Sequence, residues 1–163
     1  MCKLIAHSVI FAVSFYRFKK GVFSLRVTTT VLFFVDINKM KHINDQFGHL
    51  HGDLAVKTVS AAVLETVPHN WLCIRYGGDE FLVVGNSKNY NGEDYCAQIK
   101  ERLAAKTSVM YLPYNLSASV GTYSVPAHSD LTLEQAVETV DNIMYEQKQA
   151  FHKEDDKAAA EQH

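Results

Sequence analysis

The chain has 163 residues, 47% of them hydrophobic, and a formal net charge of −2 from 16 basic and 18 acidic side chains. That length and composition suit one globular domain with a sizeable core and exclude a fibrous or disordered chain. Near-neutral charge offers no basic field to recruit duplex nucleic acid, so a small nucleotide is the better-suited phosphate partner and no nucleic-acid partner is expected.

In chain order, Leu4 to Phe18 is an apolar run behind Lys3. It is short for a membrane span, is broken by His7 and Ser8, and has no clear cleavage site, so a packed helix or strand is expected there and no membrane segment. Thr28 to Val35 is β-branched and aromatic and reads as a buried strand that delivers Asp36 at its carboxyl end. Two helices follow, Asn38 to about Gln46 and about Gly52 to Val67, interrupted by Gly48. Apolar residues spaced three and four apart from Ala55 to Leu64 mark a face buried against the sheet. Trp71 to Tyr76 and Phe81 to Val84 are short and rich in β-formers, and read as a hairpin with Gly77 and Gly78 at its tip. Glycine there permits positive φ and lets backbone N–H groups approach a ligand.

A polar loop, Asn86 to Asn91, leads into an amphipathic helix from Gly92 to Lys106. Leu116 to Val125 alternates and reads as a central strand. Thr132 and Gln135 offer a capping box for a final helix to about Phe151, and the charged, alanine-rich end, Glu154 to His163, is expected to fray. Together these elements predict a ferredoxin-like α+β domain over residues 28–153, an antiparallel sheet flanked by helices.

Two acidic clusters carry the chemistry. Asp36 closes one strand, and Asp79 and Glu80 sit on the hairpin in the run Arg75-Tyr-Gly-Gly-Asp-Glu-Phe81. Carboxylates from a strand end and a neighbouring hairpin could together hold a hard cation such as Mg²⁺, which prefers oxygen and shares its ligands with phosphates. The plain alternative is an ordinary Gly-Gly turn. His49 and His51 are two residues apart, do not share a helix face and lack companion ligands, so no zinc site is expected. Arg75 either orders the hairpin or a neighbouring carboxylate, or forms a surface ion pair. Cys2, Cys73 and Cys96 are odd in number and unpatterned, which predicts buried apolar roles in a reducing, cytoplasmic setting.

The series Asp36-Ile37-Asn38, Lys41, Asn44-Asp45, Phe47-Gly48-His49 and Gly52-Asp53, followed by Arg75 to Phe81, closely resembles the diguanylate cyclase (GGDEF) family. Order, residue types and spacing agree from Val31 to Gly85, with weaker matches to about Lys148. The resemblance implies a fold like nucleotidyl cyclase and polymerase palm domains. It also implies condensation of two GTP molecules into cyclic di-GMP by a homodimer, with Mg²⁺ or Mn²⁺ as cofactor. Asp36 and Asp79 would be carboxylate metal ligands, with the backbone carbonyl of Ile37 as a third. Glu80 would either assist the attacking ribose 3′-hydroxyl or help organise the metals. Lys41 and Lys148 would meet phosphate, the alternative for each being a solvated helix face. Gly77 and Gly78 would lie against the substrate.

Guanine presents N1–H and an exocyclic amine along one edge, so a carboxylate accepting from both discriminates against adenine. By the resemblance Asp53 has that role, Asn44 donates to the O6 or N3 side, and retention of Asp53 favours plain GTP. The alternative for Asp53 is a helix N-cap.

Departures from the family pattern are equally specific. Residues 1–27 do not resemble the usual Asp-x-Leu-Thr-Gly-Leu-x-Asn-Arg start, which braces the site in relatives. The positions of a product-inhibition Arg-x-x-Asp are Pro68-His-Asn-Trp71, so feedback through that site is not expected. Asp141 to Lys148 follows the family pattern in the last helix, but the Gly-Arg after it is Phe151-His152, and histidine replaces that charge only in part near neutral pH. Two readings therefore stand: an active cyclase, or a catalytically impaired GTP-binding regulatory or interaction module.

Overall fold

A computed structural model describes residues 29–86 and 92–161. Cys2, the Leu4 to Phe18 stretch and most of the Asn86 to Asn91 loop fall outside them. The order is β1 (Thr30–Ile37), α1 (Met40–Phe47), α2 (His49–Thr66), β2 (Leu72–Arg75), β3 (Glu80–Asn86), α3 (Gly92–Thr107), β4 (Ala118–Val125) and α4 (Leu133–Ala160). The strands form one four-stranded sheet in the order β2-β3-β1-β4, every neighbouring pair antiparallel. This is the ferredoxin-like arrangement, in which each β-α-β crossover leaves room for one strand between its ends.

β1 is an unbroken apolar run because it is covered on both faces. Val31, Phe33, Val35 and Ile37 face the core shared with α2 and α3, while Leu32 and Phe34 face the cluster that includes Ala136, Val140 and Met144 of α4. Strand alternation then assigns Asp36 to the second face, the one that α4 covers. The same parity in β3 puts Glu80 with Leu82 and Val84 on that face. On the opposite face α2 buries Ala55, Val56, Val59, Ala62 and Val63, the helical stripe expected of a docked helix. Trp71 stacks on Phe33 at 6.1 Å and lies 5.4 Å from Tyr95.

Four boundaries and placements differ from the sequence reading. α2 begins at His49 rather than near Gly52, because Gly48 at φ 84° ends α1 and starts α2 at once. Asp53 therefore lies inside the helix and is not its N-cap. β4 is an edge strand of the described sheet, since it pairs only with β1; its alternation reflects burial of one face, not a central position. Gly77 and Gly78 do not have positive φ; among the described glycines only Gly48 does. α4 starts at the expected Thr132–Gln135 capping box but continues past Phe151 to Ala160, through a stretch rich in strong helix formers.

Candidate functional site

The sheet register brings the two acidic clusters together. Asp36 and Glu80 are direct cross-strand partners, and Ile37 N–H donates to the Asp79 carbonyl at 3.2 Å. Like charges directly opposite on one face are unfavourable for a sheet. Asp36 is buried, with 4% of its surface exposed. Burial pushes its carboxyl above the usual range; the Lys148 ammonium pulls the other way, while the charges of Asp79 and Asp141 add to the rise. Glu80 is also held above its ordinary value, first by burial and then by repulsion from Asp36, Asp79 and Asp141.

Lys148 reaches from α4 to both oxygens of Asp36, at 2.7 Å each. What lets it reach is Gly121 of β4: a methyl group there would lie 2.7 Å from the Val140 carbonyl oxygen and closer still to Met144 N. The glycine thus seats α4 against the sheet, one turn before Lys148. Asp141, on the same helix, joins the cluster electrostatically. The sequence motif contained Asp141 but gave it no role; its spacing of seven from Lys148, two helical turns, was the available signal.

The hairpin tip is ordered by Arg75, which donates to the Gly78 carbonyl through Nε at 3.0 Å and also through Nη2. Gly77 serves a purpose other than backbone freedom. A Cβ there would come within 3.3 Å of Glu80 Cδ and nearer to Oε2, so its absence leaves room for the folded-back carboxylate. Gly78 has open space where a side chain would be.

The remaining predicted residues lie on α1 and α2. Lys41 is exposed in the first turn of α1, and Asp53 is exposed in the second turn of α2. Asn44 packs its amide against Gly52, where any side chain would overlap Asn44 Oδ1, so the two helices meet through a glycine one residue before Asp53. Sequence reasoning missed the support behind Asp36. Asn38, 3% exposed, donates through N and Nδ2 to the carbonyl and hydroxyl of Ser117, both at 3.0 Å, and accepts from Ser119 Oγ at 2.7 Å. A cavity of about 450 Å³ bounded by Asn38, Leu116, Ser119, Gln147 and Phe151 lies behind this network and is lined by none of the clustered acids. The chain then turns at Lys39 in a left-handed conformation, its ammonium paired with Asp155 and 5.9 Å from the Phe151 ring centre.

The other titratable candidates have structural roles. His51 packs with Phe47 and Tyr114, and Cys73 and Cys96 are free, half-buried thiols pushed up to about 11 by burial. No helix among the described residues is long and apolar enough to cross a membrane.

Residues 22–154 match the family model described as diguanylate cyclase, GGDEF domain. The chain belongs to the GGDEF family. Among curated relatives, this GGDEF chain is 33% identical over 118 residues to the cyclic di-GMP phosphodiesterase PdeR of Escherichia coli (strain K12), covering 71% of the chain and 18% of that protein. It is 28% identical over 125 residues to diguanylate cyclase A of Treponema denticola, covering 74% of the chain and 33% of the relative. The GGDEF chain therefore spans a third or less of either relative's length. Among solved structures, diguanylate cyclase SiaD of Pseudomonas aeruginosa, in complex with its activator SiaC, superposes with a TM-score of 0.68 at 20% identity, over 88% of this chain and 55% of that one. The active GGEEF domain of a Vibrio cholerae diguanylate cyclase gives 0.60 at 21% identity, over 88% and 90%. Both share the GGDEF fold described above.

Proposed function

We propose that this domain condenses two GTP molecules into cyclic di-GMP with release of pyrophosphate, each of two subunits presenting one nucleotide. The observation that carries the reading is the opposed pair Asp36 and Glu80, joined electrostatically by Asp79 and Asp141, with Lys148 of α4 reaching Asp36. Four carboxylates against one ammonium leave a concentrated negative charge at a strand end. The residues fit a divalent cation by that imbalance: burial first, then the charges of Asp79 and Asp141 on both and of Asp36 on Glu80, hold the Asp36 and Glu80 carboxyls above their ordinary values, and a positive ion would offset that repulsion. Among the described residues no group of three or more His, Cys, Asp or Glu side chains is placed to hold a metal ion by itself. That is compatible with Mg²⁺ or Mn²⁺, since Mg²⁺ typically takes one or two carboxylates and completes its shell with water and phosphate. Asp36, Asp79 and the Ile37 carbonyl would hold such ions, which when bound supply charge neutralisation at the triphosphate.

The chain's own groups then divide the work. Lys148 and Lys41 offer ammonium groups to phosphate oxygens. Asp53 accepts from guanine N1–H and the exocyclic amine, and Asn44 donates to the same base. Glu80 takes the proton of the 3′-hydroxyl as that oxygen bonds to the α-phosphorus of the facing nucleotide and pyrophosphate departs. A second reading, a GTP-binding module without turnover, is favoured by the contact of Lys148 with both oxygens of Asp36, which engages a proposed metal ligand.

Incubation with GTP and Mg²⁺ at protein concentrations that populate dimers separates the two. Cyclic di-GMP and pyrophosphate are expected, and Asp79→Ala is expected to abolish both. GTP binding without product across the concentration series would establish the module instead.

A further inference from the structure

The segment entering β4 touches both ends of the site. At one end, the Tyr114 hydroxyl donates to the His51 carbonyl at 3.2 Å and lies 3.3 Å from His51 Nδ1, which can donate back to it. The Tyr114 ring packs on Phe47 at 5.0 Å and on His51 at 5.6 Å. Phe47 is the last residue of α1, three after Asn44, and His51 precedes Gly52, the glycine against which the Asn44 amide rests. At the other end, Ser117 and Ser119 hold Asn38, two residues after Asp36. One short stretch thus pins the corner that bears Asn44 and Asp53 and the strand end that bears Asp36.

We propose that Tyr114 is a positioning residue for nucleobase recognition: it fixes the α1–α2 corner, through His51 and Phe47, relative to the carboxylate cluster. The inference rests on the GTP reading above. Its physical basis is that hydrogen bonds to a base edge tolerate little misplacement, so a shift of the corner weakens them without dismantling the core. A packing role alone would not distinguish one purine from another. A positioning role would, because Asn44 and Asp53 read particular groups on the base. Inosine triphosphate, which lacks the exocyclic amine, is the discriminating probe.

The test is calorimetric binding of GTP and of inosine triphosphate, with Mg²⁺, to the full chain and its variants, together with their melting temperatures. Tyr114→Phe keeps the ring and removes only the hydroxyl. It should lower the GTP-to-inosine triphosphate affinity ratio about fivefold, the equivalent of one net hydrogen bond, with little change in melting temperature. Phe47→Leu should lower the ratio in the same direction. In turnover, Tyr114→Phe should raise KM for GTP and leave kcat nearly unchanged. A wild-type chain that binds GTP while Tyr114→Phe keeps the wild-type ratio overturns the inference alone. Failure of the wild-type chain to bind GTP overturns the functional reading and this inference with it.

Discussion

Asp36 and Glu80 face each other across adjacent strands, and that opposition is measurable. Both carboxyls hold a proton more tightly in the folded chain than in the unfolded one. A group of that kind costs nothing below its unfolded value, where it is protonated in both states, costs stability progressively as pH rises from that value, and costs it in full above its folded value. Glu80→Gln removes the charge and retains the shape, so it should raise the melting temperature at neutral pH. The gain should shrink as pH falls through the carboxylate range and vanish below it, and Mg²⁺ should stabilise wild type more than the variant. A thermal denaturation series from acid to neutral pH, with and without Mg²⁺, checks both; a gain that is constant with pH would show that Glu80 is not under charge stress. Asp53 is exposed on α2. Asp53→Ala should leave melting almost unchanged, as exposed substitutions usually do, and erode the preference for GTP over ATP in competition binding.

At the scale of elements, the site depends on how closely α4 lies on the sheet. Gly121→Ala would drive a methyl group into the Val140 carbonyl and Met144 N, which are helix backbone and cannot swing aside. Overpacking of this kind costs about 1–3 kcal/mol. The displaced helix should also carry Lys148 away from Asp36, so chemical denaturation should show the loss of stability while Mg²⁺-dependent GTP binding weakens with it. Gly121 shows why part of the site was not legible beforehand: only packing reveals that a glycine in a strand is needed by a helix. The strands, the hairpin and the acidic pair were legible because alternation and turn residues are local signals. Convergence of Asp36 with Asp79 and Glu80 needed the register of β1 on β3, which the family resemblance implied. The Asn38 network was not legible, since Ser117 and Ser119 look like ordinary strand-entry residues until the strand is placed. The extra turns of α4 were hidden by charge: residues after Phe151 favour helix intrinsically, yet offer no apolar stripe to mark it.

At the scale of the whole molecule, the proposed reaction joins two nucleotides, whereas one fold presents one Asp36–Asp79–Glu80 cluster and one α1–α2 corner proposed to read the base. On the proposed reading a single domain would position one GTP, and attack by a 3′-hydroxyl on a second α-phosphorus would need another domain facing it. Rate per protein chain should therefore rise with protein concentration, in proportion to it while monomers dominate, and level off once dimers are saturated. A mixture of wild type with excess Asp79→Ala provides the sharper form of the test. If both facing sites must be competent, excess variant captures wild-type chains in dead pairs and the rate per wild-type chain falls. If each chain worked alone, the same mixture would keep the full wild-type rate. Initial rates of pyrophosphate release across a titration of the variant distinguish the two, and a flat titration at concentrations where sedimentation shows mixed dimers would refute the facing-site arrangement.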